Sequence, residues 1–364
     1  MKIFPLFFLF FATVAQLCFG KELPLSTLTL PPGFSISIYA DPIPGAREMT
    51  LGSKNIVFVG TLSEGKVYAV VPDEKAPYKT KVLTIASGLK MPNGVAYYQH
   101  NLYVADNNRI LRFDNIENHL TNPPKPVVVL DSLPDKSHHG WRYIGIGPDK
   151  KLYVAIGAPC NACLSEDPRF ASIMRMNLDG TNQEIYAHGI RNSVGFDWDP
   201  ITKALTFTDN GRDWLGDNLP PEELNVATDK NQNFGFPYCH GKNISDKEYG
   251  SQFPCSSFVP PILELPAHVA PLGIKFYTGT LFPAHYRNHI FIAEHGSWNR
   301  TKKAGYQVVF VNKHKNVLTA EPFITGWLQN ETVWGRPVDL LVLPDGSLLI
   351  SDDYAGVIYR VRYK

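Results

Sequence analysis

The sequence has almost no excess of charge of either sign. Its 364 residues include 35 Lys and Arg against 34 Asp and Glu, which gives a formal net charge of +1 when the histidines are neutral. Nucleic-acid binding calls for a broad basic surface, and a charged tail calls for a long run of one sign. The sequence has neither, so any recognition by charge must be local.

Long amphipathic helical patterns are also absent, and the one extended apolar run lies at the N-terminus. Lys2 supplies a positive charge, and residues 3–17 are apolar and uncharged. Gly20 is a small residue of the kind that signal peptidases recognise, so we expect cleavage after it. This pattern is typical of a cleaved secretory signal, and the run is too short to favour a membrane span. Lipid attachment at Cys18 is the alternative, but the preceding residues fit a lipidation box poorly.

We therefore expect residues 1–20 to be a signal peptide and residues 21–364 to form a single domain. The mature protein would be periplasmic or secreted. A chain of this length is long for one ordinary domain, but all-β barrels and propellers often exceed the usual size as single units.

Cysteine is scarce, with five in the chain, of which Cys18 would leave with the signal. The other four are Cys160, Cys163, Cys239 and Cys255, an even number that favours disulfides in an exported protein. Four cysteines permit three pairings, and the simplest joins each cysteine to its neighbour in sequence. Half a zinc site or a redox pair at C-N-A-C is the alternative, but no second C-x-x-C supports it.

A short strand-like pattern recurs along the whole chain. Each copy has three apolar residues and then a small one, and in four copies an acid lies two positions beyond the triplet. The six triplets are residues 57–59, 102–104, 152–154, 205–207, 290–292 and 348–350. Val, Ile, Tyr and Phe dominate these runs, and Gly, Pro, Asn and Asp separate them, as is typical of strands joined by turns.

The spacing of the triplets predicts an all-β, six-bladed β-propeller. Four of the five steps between triplet centres are 45, 50, 53 and 58 residues, which is typical of blades with about four strands each. The fifth step, of 85 residues, predicts a long excursion between the fourth and fifth triplets. A β-sandwich or two small β domains is the alternative, but the even spacing and the lack of a linker argue against it.

The two ends of the chain are expected to close the ring. Residues 34–39 alternate between apolar and polar side chains, and the last strand-like segment ends at Tyr363. Pairing of these segments would remove two exposed sheet edges.

Charged and aromatic residues are concentrated in the loops between the predicted strands. The segments concerned are residues 137–142, 189–193, 209–225, 294–300 and 334–337. A single loop histidine is more often a surface residue than a base, and Asp-Asn-Gly forms turns by itself. Five such loops at corresponding positions of the blades favour a shared functional site.

These loops resemble those of the soluble aldose sugar dehydrogenases that depend on pyrroloquinoline quinone (PQQ), the glucose/sorbosone dehydrogenase family. The shared motifs are H-x7-G-P-D from His139, G-I-R-N from Gly189, D-N-G-R-D followed by E-E-L-N, N-F-G-F-P-Y-C-H-G from Asn233, and G-R-P-V-D from Gly335. The similarity runs from about Leu30 to the C-terminus. Singly the motifs are weak, but their order and spacing together are fairly specific.

The resemblance implies an enzyme that oxidises an aldose or related sugar to a lactone. His139 would be the general base that takes the proton from the anomeric hydroxyl, while a hydride passes to the quinone. An imidazole suits this role because its pKa lies near the working pH. Electrons would then leave to an external acceptor.

The resemblance also implies where the cofactor and a calcium ion bind. Arg191, Asn192 and Arg336 would contact PQQ, whose three carboxylates need cationic partners. Backbone carbonyls at Gly211 and Arg212 would hold Ca²⁺, a hard cation that prefers oxygen ligands.

The chain departs from the family pattern at three points. Val338 stands where related enzymes have a second arginine two residues after Arg336, and Arg212 stands where the calcium loop has a proline. A cofactor-contacting lysine has no match in residues 294–300. The nearby basic residues that are candidates to replace it are Arg300, Lys302 and Lys303.

Two functions of other kinds are alternatives. A calcium-dependent lactonase-type propeller would hold its metal by side chains, for which Asp209, Asn210 and Asp213 are candidates, but they lie in one loop instead of arriving from several blades. A non-catalytic exported propeller would bind a protein or glycan through the same face, since fold alone does not fix function. The uptake of PQQ separates all three hypotheses.

Overall fold

The computed structural model describes residues 22–73, 75–314 and 317–364. The signal peptide expected at residues 1–20 lies outside this range. The described residues form six successive, almost entirely antiparallel sheets, which confirms the six-bladed β-propeller. No helix in this part of the chain is long and apolar enough to span a membrane.

The strands are numbered in chain order. The first is β1 (Phe34–Ala40). Blade 1 contains β2 (Met49–Leu51), β3 (Val57–Val59), β4 (Val67–Asp73) and β5 (Ala76–Ala86). Blade 2 contains β6 (Gly94–Tyr98), β7 (Asn101–Asp106), β8 (Arg109–Phe113) and β9 (Val127–Leu130). Blade 3 contains β10 (Ile144–Ile146), β11 (Leu152–Ile156), β12 (Ser172–Met176) and β13 (Glu184–His188).

Blade 4 begins with β14 (Phe196–Trp198), β15 (Leu205–Asp209) and β16 (Glu222–Ala227). An excursion then supplies β17 (Gln232–Asn233), which joins blade 3, and the hairpin of β18 (Cys239–His240) and β19 (Ile244–Ser245), before β20 (Leu263–Leu265) completes blade 4. Blade 5 contains β21 (Pro271–Phe276), β22 (Ile290–Glu294), β23 (Gln307–His314) and β24 (Val317–Ile324).

A second hairpin, of β25 (Leu328–Gln329) and β26 (Thr332–Val333), precedes blade 6. Blade 6 contains β27 (Pro337–Val342), β28 (Leu348–Asp352) and β29 (Val357–Tyr363), together with β1. Four single-turn 3₁₀ helices complete the regular structure of the described residues: Leu25–Thr27, Ile116–Asn118, Cys255–Ser257 and Ala284–Tyr286.

Each predicted triplet lies in the second strand of its blade. Strands β3, β11, β15, β22 and β28 are buried along their whole length. A strand with sheet neighbours on both sides and blades packed on both faces carries continuous apolar residues instead of alternating ones. This burial explains why the second strand gave the clearest signal in the sequence.

The first strand of each blade lies nearest the axis, where neighbouring blades meet. Strand β6 contacts β2 and β10, and β21 contacts β14 and β27, which in turn contacts β2. Between β10 and β14 the approach is close, because a Cβ atom at Gly145 would lie 2.9 Å from the ring of Phe196. The inner strands therefore form a continuous ring.

Three of the four acids that follow the triplets, those at the ends of β7, β15 and β28, hold the loops that lead into the inner strands. Asp106 accepts a hydrogen bond from the backbone N–H of Lys90, and Asp352 accepts one from Arg336. Asp209 accepts two, from Arg191 and Asn192. The recurring acid therefore ties the end of a second strand to the loop that precedes the first strand of its own blade.

Strand β1 closes the ring, as expected. It pairs antiparallel with β29, with Phe34 opposite Tyr363. The Phe34 ring also packs edge to face on Phe282 and Phe323, with ring centroids 4.8 Å and 5.0 Å apart. One residue near the start of the chain therefore joins blade 5 to blade 6.

Both disulfides follow the local pairing. Cys160 is bonded to Cys163, and Cys239 is bonded to Cys255. The second bond lies in the excursion between β16 and β20, which accounts for the 85-residue step between triplets.

Replacing Phe34 by Ala tests the closure. We expect Phe34→Ala to lower the free energy of unfolding by about 3 kcal/mol, because the truncation removes aromatic contacts and leaves a cavity at the seam. Urea unfolding followed by circular dichroism measures the change. Val128→Ala is the control, since this β9 side chain is 52% exposed and its loss should cost about 0.5 kcal/mol or less. Equal effects of the two substitutions would contradict this account of closure.

Candidate active site

A cavity of about 690 Å³ opens at the end of the propeller where the inner strands begin. Its walls come from the loops before the inner strands and from the loops after the second strands. The polar and aromatic residues that line it are Arg47, Ser137, His138, His139, Trp141, Arg191, Asn192, Asn210, Asp213, Glu222, His268, His295, Trp298, Asn299, Arg336 and Asp353. The structure thus brings His139, Arg191, Asn192 and Arg336 to one cavity, as the loop motifs predicted.

His139 is a buried, neutral imidazole whose Nε2 makes no hydrogen bond to the described residues. Its Nδ1 lies 2.9 Å from the carbonyl oxygen of Ala158, so Nδ1 carries the proton and Nε2 is the acceptor. Burial, followed by the positive charge of Arg191 and the neighbouring His138, holds the pKa of His139 well below its usual value of 6.5. The ring is therefore able to accept a proton at neutral pH.

The backbone around His139 is specialised. His139 has a positive φ of 48°, a left-handed conformation that is uncommon for a residue with a side chain. A Cβ atom at the neighbouring Gly157 would lie 2.6 Å from the Cβ of His139. The close approach of these two loops fixes the position of the imidazole.

Asp209 fixes the loop that carries Arg191 and Asn192. Its two carboxylate oxygens accept the backbone N–H of Arg191 at 2.8 Å and of Asn192 at 2.6 Å. The Asn192 side chain lines the cavity and makes no hydrogen bond to the described residues. Its amide is therefore available to a bound molecule.

The guanidinium of Arg191 is held by Asn161, a residue that the sequence did not single out. Nε donates to the backbone carbonyl of Asn161 at 2.8 Å, and Nη2 donates to its Oδ1 at 2.9 Å. Asp213 accepts from the same Nη2 at 2.9 Å and donates its own N–H to Asn161 Oδ1. Asn161 lies inside the loop closed by Cys160 and Cys163. This disulfide therefore constrains the loop that holds the Arg191 guanidinium.

The guanidinium of Arg336, unlike that of Arg191, is held by backbone carbonyls alone among the described residues. Its Nε donates to the carbonyl of His295 at 3.1 Å and its Nη2 to that of Gly296 at 2.8 Å, and the guanidinium donates to no carboxylate in the described part of the chain. Burial lowers its pKa below the usual value, but a guanidinium stays charged at neutral pH. Its positive charge therefore faces the cavity unneutralised by an ion pair.

The third arginine that lines the cavity is Arg47. The resemblance suggested that a basic residue close to Glu294 would supply this charge. Arg47 Nη1 pairs with Asp353 at 2.6 Å. The predicted replacements for the family lysine lie elsewhere, since Arg300 donates to the carbonyl of Ala267 and Lys303 to that of Glu331. The side chain that supplies the extra charge comes from blade 1, far away in sequence.

Val338 forms part of an apolar floor. It is buried with Val194 and Leu272, and Trp141 packs against this cluster. Leu272 and Trp141 also line the cavity. The position where related enzymes have a second arginine therefore contributes packing here instead of charge.

Gly211 lines the cavity beside a buried carboxylate. Its N–H donates to Glu222 Oε2, and a Cβ atom at Gly211 would lie 2.9 Å from Pro220. Burial raises the pKa of Glu222 to about 8. Arg212 does not line the cavity, and its guanidinium turns away to Asp246.

These groups offer oxygen ligands to a cation. No hydrogen bond from the described residues reaches the carbonyls of Gly211 or Arg212. Within the same residues, no set of three or more His, Cys, Asp or Glu side chains is arranged to hold a metal ion. A cation here would therefore depend on backbone carbonyls together with Glu222, a donor set that suits Ca²⁺.

The two carboxylates that a lactonase-type metal site would use are engaged in protein contacts, and the third candidate, Asn210, is held through its Nδ2. Both oxygens of Asp209 accept backbone N–H groups, and Asp213 pairs with Arg191. Asn210 Nδ2 donates to the carbonyl of Asn192 at 2.9 Å. These three residues position the loops, which argues against a metal centre built from them.

Comparison with known proteins gives one family match and one close relative. The TrAA12-like family matches residues 28–364. An uncharacterized protein of Borreliella burgdorferi is 37% identical over 367 residues, with 96% of this chain and 95% of that protein covered. The pyrroloquinoline quinone-dependent pyranose dehydrogenase of Coprinopsis cinerea is 25% identical over 231 residues, which cover 49% of this chain and 31% of that protein.

Solved structures share the fold at low sequence identity. The calcium structure of a Trichoderma reesei enzyme of carbohydrate-active family AA12 has a TM-score of 0.80 at 18% identity and covers 94% of this chain and 98% of its own. The holo PQQ domain of the Coprinopsis cinerea pyranose dehydrogenase has a TM-score of 0.75 at 18% identity, with 92% and 97% covered. The PQQ-bound aldose sugar dehydrogenase of Streptomyces coelicolor has a TM-score of 0.65 at 19% identity, with 92% and 100% covered.

Replacing Asn161 by Ala tests how Arg191 is held. We expect Asn161→Ala to lower the free energy of unfolding by about 1–3 kcal/mol, because it removes the oxygen shared by Arg191 and Asp213 and leaves buried donors unpaired. Urea unfolding measures the change. Asn118→Ala, at an exposed asparagine, should have little effect. If the two variants are equally stable, Asn161 does not hold the guanidinium.

Proposed function

This chain belongs to the TrAA12-like family, and from that premise we propose that it is an exported, PQQ- and calcium-dependent oxidoreductase acting on an aldose or related sugar. One observation carries the proposal most. The buried, neutral His139 lies in the same cavity as three arginines, with Nδ1 bonded to a carbonyl and Nε2 unbonded among the described residues. This combination joins a base to a binding site for an anionic cofactor.

The lining suits PQQ in charge and in available donors. Arg336 and the Asn192 amide offer donors that other side chains do not occupy, whereas the guanidinium groups of Arg191 and Arg47 line the same cavity in ion pairs with Asp213 and Asp353. Cations and amides of this kind bind carboxylates through strong, charge-assisted hydrogen bonds. The bound quinone would supply the two-electron acceptor. The apolar floor around Val338 gives its planar ring system a surface on which to pack.

His139 would act on the sugar hydroxyl. Nε2 accepts the hydroxyl proton while the carbonyl of Ala158 keeps Nδ1 protonated and the ring oriented. Because the pKa of His139 is held low, the imidazole remains a neutral acceptor well below pH 6.5. The same low pKa favours release of the proton after each turnover.

A calcium ion would bind at the carbonyl of Gly211 and the carboxylate of Glu222. The raised pKa of Glu222 reflects a negative charge that burial leaves poorly stabilised. A divalent cation at this point would remove that penalty and would place positive charge at the cavity wall. Arg212 would contribute its backbone carbonyl alone, since its side chain is engaged with Asp246.

Export is supported by two features. The two disulfides are typical of oxidising compartments, and the N-terminal sequence has the charge and apolar pattern of a secretory signal. A periplasmic or secreted enzyme would then pass its electrons to an external acceptor.

The catalytic role of His139 is tested by comparing it with its neighbour. Purified protein is reconstituted with PQQ and Ca²⁺, and dye reduction is followed with a panel of sugars. We expect His139→Ala to lower kcat/KM by about 10²–10⁴-fold, the usual contribution of a general base, with PQQ affinity little changed. His138→Ala should lose less than about tenfold, since that side chain lacks the Ala158 contact.

The pH profile of the wild-type enzyme supplies a second criterion. Since a base must be neutral to act and the pKa of His139 is lowered, the acid limb of kcat/KM should fall below pH 6.5. A greater loss in His138→Ala than in His139→Ala, or an acid limb above pH 6.5, would contradict the assignment.

Calcium binding is tested by the pH dependence of stability. Burial raises the pKa values of Glu222 and Glu223 to about 8. A carboxyl group with a raised folded-state pKa stabilises the fold at low pH, and this contribution is lost as pH rises toward 8. We therefore expect Ca²⁺ to raise the melting temperature at pH 8, by neutralising Glu222, and to have less effect at pH 5.

Two matched variants identify the carboxylate concerned. Each of Glu222→Gln and Glu223→Gln removes one of the two carboxyl groups. Each variant should therefore lose less stability than the wild type as pH rises toward 8. Glu222→Gln should also lose the response to Ca²⁺, whereas Glu223→Gln should keep it, because Glu223 contacts Gly241 and Asn225 outside the cavity. A full calcium response in Glu222→Gln would place the cation elsewhere.

A further inference from the structure

Two tryptophans form an exposed aromatic pair at the cavity rim. Trp214, in the loop after β15, is 69% exposed, and Trp298, in the loop after β22, is 66% exposed. Their ring centroids are 5.3 Å apart and the rings are nearly perpendicular. Trp298 also lines the cavity. Large indole rings bury most of their area in folded proteins, so an exposed pair that adjoins a cavity indicates a binding surface.

The two loops that carry the pair are tied to each other. Asn299, next to Trp298, donates its side-chain amide to Asp213 Oδ1 at 2.7 Å. The N–H of Thr301 donates to Asp217 Oδ1 at 3.1 Å. These contacts bridge blades 4 and 5 on both sides of Trp214 in sequence. The rings are thus held in place by their backbone and neighbours without being buried.

Trp214 occupies a strained backbone position. Its φ is +70°, which is rare for a bulky residue and persists only where the surrounding structure enforces it. His268 contributes to this enforcement, since its Nε2 lies 2.8 Å from the carbonyl of Gly216. The loop therefore holds an apolar ring in solvent at a conformational cost, and the ring remains 69% exposed despite its contact with Trp298.

The chemistry of the rim suits a neutral, hydroxyl-rich ligand. Asp213 is paired with Arg191. Arg300 donates to the backbone carbonyl of Asp217, and its guanidinium lies close enough to the Asp217 carboxylate to interact with its charge, so both carboxylates of this rim lie beside a cation. Asn299 and His268 place polar groups beside the rings. A pyranose ring has an apolar C–H face and a hydroxyl edge, which match an indole face and flanking hydrogen-bonding groups.

We propose that Trp214 and Trp298 bind the outer rings of a neutral oligosaccharide whose reducing-end ring enters the cavity at His139. This inference rests on the proposed function and specifies its substrate class. The reacting anomeric hydroxyl belongs to the ring at the reducing end, so the remainder of the chain must leave through the cavity mouth. The exposed pair lies at that mouth.

Chain length is the variable that tests the proposal. The reconstituted protein is assayed with two series, glucose to cellotetraose and maltose to maltotetraose. In at least one series, wild-type kcat/KM should rise by roughly tenfold from the shortest member to the trisaccharide, mainly through KM, as expected for one added aromatic contact. Trp214→Ala and Trp298→Ala should lose this rise, and Trp214→Phe should keep most of it.

Ile201→Ala is the matched control. Ile201 is 73% exposed and lies in the β14–β15 turn at the opposite end of the propeller, so its loss should leave the chain-length preference intact. Calorimetric titration of the protein with cellotetraose and maltotetraose, without dye, gives an independent readout of binding. Wild-type protein should bind one of them, and Trp214→Ala should weaken that binding by roughly tenfold.

The outcomes separate failure of this inference from failure of the proposed function. Dye reduction with no chain-length preference in the wild type, or a preference that survives both tryptophan substitutions, would overturn the oligosaccharide site alone. A change confined to the KM of the electron-accepting dye would also overturn it, because the pair would then serve the acceptor. If no sugar reduces the dye but an oligosaccharide still binds through the tryptophans, the proposed oxidation is wrong and the binding site stands.

Discussion

The candidate site depends on a buried carboxylate at the end of a second strand. Asp209 follows the apolar triplet of blade 4 and accepts the backbone N–H groups of both Arg191 and Asn192. Asp352 does the same for Arg336 in blade 6. The repeating unit of the fold thus also positions the loops that carry the cavity's polar groups. Because a buried carboxylate that loses its donors is costly, these loops have little freedom to move while the blades stay intact.

The repeat could be predicted because fully buried strands consist mostly of apolar residues, which are easily recognised in a sequence. The second strands are enclosed on both faces and read as continuous apolar runs, whereas β1 alternates in sequence and is only partly buried over most of its length. The inner strands gave weaker signals, since β2, β10 and β14 are only three residues long. The hairpins of β18–β19 and β25–β26 were not predicted, because two-residue strands have no periodicity to detect.

The parts of the site that the sequence missed depend on contacts between distant segments. Arg47 reaches the cavity from blade 1 and is neutralised by Asp353 from blade 6, 306 residues away. Asn161 lies between two cysteines, so the C-N-A-C motif marks its loop in the sequence. Its contact with Arg191, however, is set by the packing of loops. The basic residues suggested near Arg300 do not line the cavity, whereas Arg47 does, because proximity in sequence does not decide which side chain enters a cavity shared by six blades.

We propose above all that this cavity holds a tricarboxylate quinone. The most direct measurement is equilibrium dialysis of the purified protein against PQQ, with and without Ca²⁺, with absorbance spectroscopy of the retained fraction. The account predicts uptake of about one PQQ per chain, the stoichiometry of a single central cavity, with weaker binding when Arg336 is replaced by Ala. Absence of retained quinone at any calcium concentration, or uptake unaffected by Arg336→Ala, would contradict it.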